Sequence, residues 1–389
     1  MPAELTSPPL SLYVHFPWCV RKCPYCDFNS HPLRGELHEQ DYVDGLLRDL
    51  DEELERSAGR EIVSVFIGGG TPSLIAPEHI GRLLERLAER LQPGAEVTLE
   101  ANPGTLDAGR FAGYRAAGVN RLSVGAQSFD DQCLQAIGRI HDGAAAHAAL
   151  ETAHAVGFDR INIDLMYGLP GQTVQQAEAD VRIACKLDPG HVSHYQLTLE
   201  PGTVFHRNPP ALPDSEALWN MQRSCVTAFA ARGYRHYEVS ALARPGQRCR
   251  HNLNYWLFGD YLGIGAGAHG KLTTGKDVLR RNKPRSPAHY LLATDRCEWT
   301  EIRVSAPERG FEFLLNALRL SHGFPLHLFA QRTGLPRDWI ASRMQGQPAQ
   351  LLQVDTEWCR PTALGRRFLD DAQALFLPPA GRDPALKTG

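Results

Sequence analysis

The stretch LYVHFPWCVRKCPYCDFNSH, residues 12–31, begins as an apolar segment and runs directly into a loop with three cysteines. Residues 12–16 are typical of a β-strand, and the cysteines follow at C-x3-C-x2-C spacing. The chain has nine cysteines, and the other six are scattered. Clustered thiols in a chain without a secretory pattern indicate metal binding or catalysis rather than a disulfide framework.

The pattern of a strand followed by a helix continues from this first unit. Strand-like apolar runs occupy residues 12–16, 64–70, 96–103, 121–129, 160–170 and 191–202. Amphipathic helical segments follow them at residues 41–56, 77–91, 106–118, 130–156, 173–186 and 215–233. Such alternation favours a parallel sheet covered by helices. Six units are too few to close an eight-stranded barrel, so the sequence predicts an α/β fold built on a partial (β/α)6 barrel.

The remainder of the chain predicts three further regions. Residues 234–305 are Gly-rich and are expected to form an irregular extension to the barrel of residues 1–233. Residues 306–376 turn helical, with a small hairpin, and are expected to form a mostly helical C-terminal domain. The last residues, 377–389, are rich in Pro and Gly and are predicted to be a disordered tail.

Charge and hydropathy exclude several classes of function. The formal net charge is −3 and no long basic run occurs, so no nucleic-acid partner is expected. The N-terminus has no apolar core of a signal peptide, and no apolar run approaches the ~18 residues of a membrane span. The expected compartment is therefore the cytoplasm.

Polar and glycine residues collect where the predicted strands end. The cysteine loop follows the first strand, GGGTP (68–72) follows the second, and Glu100, Gln127 and Asp164 lie at the ends of later strands. In parallel α/β sheets these carboxyl ends meet on one rim, where active sites form. The sequence therefore predicts one shared site on that rim.

The three cysteines fit two kinds of metal site. Cys19, Cys23 and Cys26 can bind three irons of a [4Fe–4S] cube and leave the fourth iron open for another ligand. A tetrahedral zinc site needs one more ligand, for which His15, Asp27 and His31 are available. Zinc stays open as an alternative, although no second C-x2-C pair accompanies the loop.

The cysteine spacing in a loop after the first strand resembles the radical S-adenosylmethionine (SAM) superfamily. Further segments extend the resemblance to residues 10–375: FIGGGTPSLI, LEANPGT, RLSVGAQSF, IGRIH, NIDLMYGLPGQT and RHNLNYW. They are similar to the oxygen-independent coproporphyrinogen oxidase family, and most similar to its heme chaperone branch, HemW. The resemblance implies three bound groups, which are a [4Fe–4S] cluster, SAM and heme.

The resemblance also implies roles for individual residues. Cys19, Cys23 and Cys26 would ligate the cluster. The residues that would contact SAM are Tyr13, Tyr25, Gly69, Gly70, Thr71, Glu100, Gln127, Arg139 and Asp164.

The chain departs from the oxidase pattern at Phe28. The oxidase branch resembles C-x3-C-x2-C-x-C, and Phe28 stands where its additional cysteine lies. A phenyl ring cannot ligate iron or deliver a proton. Coproporphyrinogen oxidase activity is therefore not expected, whereas cleavage of SAM stays open.

The segment RHNLNYW carries H-N-x-x-Y-W, a pattern typical of the chaperone branch. The resemblance implies heme contacts by His251, Asn252, Tyr255 and Trp256. A neutral imidazole can take an axial position on heme iron, and aromatic rings can stack on the macrocycle. The alternative interpretation is that His251 only forms hydrogen bonds within the core and that the aromatic residues only pack.

Two functions follow from these expectations. The first is a heme chaperone that delivers heme to an acceptor hemoprotein, for which a respiratory protein at the inner membrane is one candidate. The second is a radical SAM enzyme, in which a 5′-deoxyadenosyl radical abstracts hydrogen from a porphyrinogen. The sequence leaves the acceptor and a homodimeric state open.

Overall fold

A large mixed sheet dominates the protein in a computed structural model that describes residues 5–105, 107–345 and 350–378. Its strands are β1 Leu10–Phe16, β2 Ile62–Gly69, β3 Leu91–Ala101, β4 Arg121–Gln127, β5 Ile161–Tyr167, β6 Gly190–Gln196, β7 Arg235–Glu238, β8 Ala241–Ala243, β9 Asp260–Ile264, β10 His269–Thr274, β11 Asp277–Asn282 and β12 Thr300–Arg303. The spatial order is β12-β11-β10-β9-β1-β2-β3-β4-β5-β6-β8-β7.

Strands β1 to β6 run parallel in chain order, which confirms the six predicted units. Their residues are buried on both faces; the burial of β1, for example, is interrupted only at Tyr13. The sequence analysis missed β9, which pairs in parallel with the free edge of β1. Part of the segment expected to be irregular thus supplies a seventh parallel strand to the described sheet.

Most helices that cover the sheet lie at the predicted positions, but the predicted segment 130–156 forms two helices and residues 204–207 form a helix that was not predicted. In chain order they are α1 Glu39–Arg56, α2 Pro77–Leu87, α3 Ala108–Ala116, α4 Asp131–Ala136, α5 Gly143–Val156, α6 Val174–Leu187, α7 Val204–Arg207 and α8 Ser215–Ala230. Local signals explain several of their ends. Pro77 begins α2, and Thr173 and Gln176 form a reciprocal capping box at α6.

Buried ion pairs attach the strands beyond β1 to the barrel. Lys271 Nζ lies 2.8 Å from Asp260 Oδ1, with both side chains at most 2% exposed. Lys283 Nζ contacts Asp49 of α1 and lies 2.8 Å from Glu53 Oε1. Because unpaired buried charges are strongly unfavourable, these contacts hold β9–β11 in one position relative to α1.

The C-terminal region has a separate apolar core. The helices after α8 are α9 Arg250–Trp256, α10 Pro287–Thr294, α11 Ala306–Ala317, α12 Leu326–Thr333, α13 Trp339–Arg343, α14 Ala363–Arg367 and α15 Leu369–Ala374, and side chains of α11, α12, α13 and α15 form that core. The predicted hairpin is present as Leu352–Val354 paired with Trp358–Pro361. The last helical segment of the predicted C-terminal domain consists of two short helices, α14 and α15.

Two sequence predictions reach residues outside the described part of the chain. The predicted helix 106–118 includes Leu106, and most of the predicted tail 377–389 lies beyond Pro378. None of the described helices combines the length and the apolar character needed to cross a bilayer.

Candidate functional site

A cavity of about 350 Å³ lies at the carboxyl ends of the parallel strands. The cysteine loop forms one wall, and the ends of β2 to β6 form the others. Of the predicted residues, the cavity brings together all three cysteines and most SAM candidates: Tyr25, Gly69, Gly70, Thr71, Glu100, Gln127, Arg139 and Asp164.

The cysteine loop turns its sulfurs into this cavity. Cys23 O accepts a hydrogen bond from Cys26 N at 3.2 Å, which closes a turn between the second and third cysteines. Cys23 Sγ lies 3.7 Å from Arg139 Nη1, and Cys26 Sγ lies 3.8 Å from Ser30 Oγ. Burial raises the pKa of the Cys19 and Cys26 thiols, so both favour the protonated form when no metal is bound.

The donor set fits an iron–sulfur cube. Among the described residues, no three Cys, His, Asp or Glu side chains converge on one point the size of a single ion. A cube does not require such a point, because each thiolate binds a different iron. Cys19, Cys23 and Cys26 would hold three corners, and the cavity beyond them has space for a ligand on the fourth.

A zinc site would need a fourth ligand. Of the three candidates, His15 has both ring nitrogens hydrogen-bonded and His31 lies outside the cavity. His15 Nδ1 lies 2.9 Å from Tyr13 Oη and Nε2 lies 2.9 Å from Asn29 O, so both ring nitrogens are occupied. His31 lines a separate surface groove beside α1, whereas Asp27 lines the cavity.

The glycine turn after β2 lets the backbone approach the cysteine loop. Gly69 has φ +115°, a conformation that side chains rarely adopt. A Cβ on Gly70 would lie 2.4 Å from Trp18 O. Gly70 N and Thr71 N donate to Phe16 O and Trp18 O at 2.6 and 2.7 Å, which fixes the turn against the start of the loop.

Two partly buried carboxyl groups, those of Glu100 and Asp164, line the cavity beside this turn. Burial, together with the nearby charge of Asp164, raises the pKa of Glu100 to about 8, and a hydrogen bond from Gly69 N at 3.0 Å partly offsets this effect. Burial also raises the pKa of Asp164, against the hydrogen bond from Asn162 Nδ2 at 2.8 Å. A cation entering the cavity would lower both pKa values and gain charge-assisted contacts.

A polar chain completes the opposite wall. Tyr195 Oη donates to Gln127 Oε1 at 2.8 Å, and Gln127 adopts φ +70°, an uncommon conformation for a residue other than glycine. Arg139 Nη2 donates to Gly125 O at 2.6 Å, while its buried Nε has no partner among the described residues. Sequence reasoning missed Tyr195, whose position near the end of β6 was the available signal.

A second cavity of about 530 Å³ adjoins the first. Phe28, Gly69 and Glu100 line both cavities and form the wall between them. Tyr13 lies here and not in the first cavity, with its hydroxyl directed to His15. The wall therefore separates this predicted SAM contact from the others.

The H-N-x-x-Y-W segment forms α9, and its residues point in different directions. His251, Asn252 and Tyr255 line the second cavity. Trp256 faces the C-terminal region instead, where the guanidinium of Arg319 lies 4.3 Å from the ring centre. The second cavity therefore contains three of the four predicted heme contacts.

Comparison with known proteins gives consistent relatives. The Radical SAM superfamily matches residues 13–184, and the HemN C-terminal domain matches residues 304–368. Heme chaperone HemW of Escherichia coli K12 is 46% identical over 375 residues, covering 95% of this chain and 98% of that protein. HemW of Haemophilus influenzae Rd is also 46% identical, covering 95% and 98%.

A solved structure agrees with the fold. The coproporphyrinogen III oxidase HemN of Escherichia coli, described as a radical SAM enzyme, superposes with a TM-score of 0.80. It is 24% identical, and the match covers 95% of this chain and 90% of that one. This likeness extends the shared architecture beyond the barrel to nearly the whole chain.

Proposed function

Because this chain belongs to the heme chaperone HemW family of the radical SAM superfamily, we propose that it binds heme and delivers it to an acceptor hemoprotein. Membership of the superfamily implies a [4Fe–4S] cluster and SAM. Heme binding and transfer are named for the relatives, and their assignment to this chain is the proposal.

One observation carries the proposal: two cavities of different chemistry share a wall. The first cavity offers three thiols, two partly buried carboxyl groups and an arginine, which suits a cluster and a charged nucleotide. The second is lined by five phenyl and phenol rings together with imidazoles, amides, one carboxyl group and one arginine. Aromatic walls with placed polar groups are typical of cofactor pockets of ~300–1,000 Å³.

In the first cavity, Cys19, Cys23 and Cys26 would hold the cluster and leave one iron open for SAM. The glycine turn at Gly69 and Gly70 would bring backbone atoms close to the methionine moiety. The remaining contacts proposed for SAM are Tyr25, Thr71, Glu100, Gln127, Arg139 and Asp164.

In the second cavity, the macrocycle would pack against aromatic rings. Phe66 lies with its ring centre 5.1 Å from that of His251, and Tyr255 and Tyr261 make an edge contact at 4.5 Å. Arg285 lines the same cavity and is suited to a heme propionate. Tyr13 joins this set, since it faces this cavity.

The test is anaerobic reconstitution with iron and sulfide, followed by titration with heme and SAM. We expect about one heme per chain, a cluster spectrum that changes on addition of SAM, and no conversion of coproporphyrinogen III. Turnover of that substrate would contradict the chaperone function. Asn252→Trp should fill the second cavity and abolish heme binding while the cluster is retained. Leu292→Trp, on the exposed face of α10, should behave like wild type.

The second candidate function is a radical SAM enzyme that acts on a porphyrinogen. Glu100, Asp164 and Arg139 favour it, because they give the first cavity the polar groups that SAM chemistry requires. Phe28 argues against the oxidase reaction, since it supplies no thiol or proton beside the cluster. Detection of 5′-deoxyadenosine in the presence of a porphyrinogen would favour this candidate.

The acceptor is proposed to be a hemoprotein, including a respiratory one at the inner membrane, which the chain would approach from the cytoplasm. A homodimer is part of the same proposal. Pull-down of heme-loaded protein against candidate hemoproteins, with apo-protein as the control, would test the transfer.

A further inference from the structure

Three imidazoles line the second cavity, and each is a formal candidate for the axial position on heme iron. They are His15, His251 and His269. Iron needs an unprotonated ring nitrogen with its lone pair free. The hydrogen bonds of the three rings therefore distinguish them.

Both ring nitrogens of His251 form hydrogen bonds within the core. Asn254 Nδ2 donates to Ser11 Oγ at 2.9 Å, Ser11 Oγ lies 2.8 Å from Ser64 Oγ, and Ser64 Oγ lies 3.1 Å from His251 Nδ1. His251 Nε2 in turn lies 3.2 Å from Tyr255 Oη. A hydroxyl both donates and accepts, so the chain can run from Asn254 through Ser11 and Ser64 to His251 Nδ1, which leaves the proton on Nε2.

This arrangement is not easily undone. His251 is 1% exposed, and burial lowers its pKa to about 3. With the opposite tautomer, Tyr255 Oη would occupy the lone pair on Nε2 instead. Binding iron through His251 would therefore break at least one buried hydrogen bond and leave a buried polar group without a partner, which is unfavourable.

The His15 ring is committed in the same way. Its nitrogens face Tyr13 Oη and Asn29 O, each at 2.9 Å, and the ring is 5% exposed. The carbonyl of Asn29 can only accept, so Nε2 carries the proton and Nδ1 accepts from Tyr13. Neither nitrogen of His15 is free for a metal.

His269 differs from both. It is exposed at the first position of β10, where the backbone register sets it opposite Asn282 of β11. Partial desolvation in the cavity wall, with Arg280 and Arg285 nearby, lowers its pKa. Orientation of the ring by a hydrogen bond to Asn282 would leave the other nitrogen with a free lone pair, as is usual for histidines that bind metals.

We propose that His269, and not His251, is the axial ligand of the heme bound in the second cavity, with Asn282 as the positioning residue that orients its ring. The inference rests on the proposed heme function. In this arrangement His251 supports the cavity wall through Tyr255 and Ser64, and Arg285 lies on the same side as His269 to pair with a propionate.

The test is ferric heme titration of the anaerobically reconstituted protein, read by absorption and EPR. Wild type should give an imidazole-ligated spectrum. His269→Ala should lose that spectrum and weaken heme binding by at least about tenfold, and added imidazole should restore the spectrum. Asn282→Ala should keep the imidazole ligand but weaken heme binding. His147→Ala, on the exposed face of α5, is the matched control and should behave like wild type.

The outcomes separate this inference from the function on which it rests. If His269→Ala keeps the wild-type spectrum while His251→Ala loses it, the ligand assignment is wrong and heme binding stands. If wild type binds no heme at all, the proposed function fails and the ligand assignment fails with it. Cluster absorption and thermal unfolding of His269→Ala serve as the measure of folding, and His269→Gln gives a second variant that retains a polar side chain.

Discussion

Glu100 should make the protein less stable as the pH rises from about 4.5 to 8. Its carboxyl group is buried against Gly69, and burial with the charge of Asp164 raises its pKa from 4.5 to about 8. Between these two values the folded state holds a proton that the unfolded state has released. Because stability falls with pH wherever the folded state binds more protons, the loss accumulates over this interval and is complete above pH 8.

The size of this effect follows from the two pKa values. Each unit of difference corresponds to about 1.4 kcal/mol, so a difference of about 3.5 units gives a loss of about 5 kcal/mol in the free energy of unfolding. Relaxation around a buried carboxylate reduces this value, and about 3–5 kcal/mol is the expected range. Glu100→Gln removes the titration while its side-chain oxygen can still accept from Gly69 N.

The assay is urea unfolding of wild type and Glu100→Gln, without SAM, at several pH values between 5 and 8.5. The two should have similar stability near pH 5, and the variant should become the more stable one by about 3–5 kcal/mol at pH 8. Glu55→Gln, at an exposed position of α1, should follow wild type. Parallel pH profiles for wild type and Glu100→Gln would refute the reasoning.

Three further variants test the site and its support. Cys23→Ala should abolish cluster assembly, measured as iron content after anaerobic reconstitution, whereas Cys225→Ala should retain it; a normal iron content in Cys23→Ala would contradict the ligand assignment. Gly69→Ala should destabilise the protein by about 1–3 kcal/mol in urea unfolding, because φ is +115° and the new Cβ would lie 2.6 Å from the His15 ring; unchanged stability would show that the turn relaxes freely. Lys283→Met should cost about 3–5 kcal/mol by leaving the buried carboxylate of Asp49 without its counter-ion, while Glu53 keeps Arg56 and Arg281; a cost below about 1 kcal/mol in thermal unfolding would show that Asp49 is already neutral.

The local pattern of the sequence was sufficient to predict the six parallel strands and the rim on which the site lies. Each of these strands is followed by a helix that covers it. The spacing of apolar residues therefore changes from that of a strand to that of a helix within a short stretch of sequence, which makes each unit recognisable. The glycine turn and the cysteine loop also carry local signals, and both line the predicted cavity.

The pairing of β9 with β1 had no local signal. About 250 residues separate the two strands. The many glycines around β9 led to the prediction of an irregular segment, whereas in the structure they allow close packing. A Cβ on Gly263 would lie 2.0 Å from His269 O, and Gly265 has φ +103°. Only the folded arrangement reveals that Gly263 lets β10 pack against β9 and that Gly265 approaches the backbone of His15 on β1.

The sequence also could not show which histidine nitrogens are occupied by hydrogen bonds. The pattern H-N-x-x-Y-W singled out His251, but whether an imidazole has a free nitrogen depends on Ser64 and Tyr255, which come from a distant strand and the next helical turn. His269 belongs to no motif, and its position opposite Asn282 appears only in the strand register. Membership of a residue in a sequence motif therefore does not show whether its side chain has a nitrogen free to bind iron.

Phe28 lies in the wall between the two cavities, and its position suggests a physical reason for the departure from the oxidase pattern. Its side chain is 59% exposed and lines both cavities, two positions after Cys26, the last of the proposed cluster ligands. A cysteine there would present an ionisable thiol to both a nucleotide and a macrocycle. A phenyl ring presents an apolar face, which suits stacking on a porphyrin and supplies no proton. Under the proposed function, the same scaffold thus retains its nucleotide site while the neighbouring cavity is adapted to hold a flat, apolar ligand rather than to react with it.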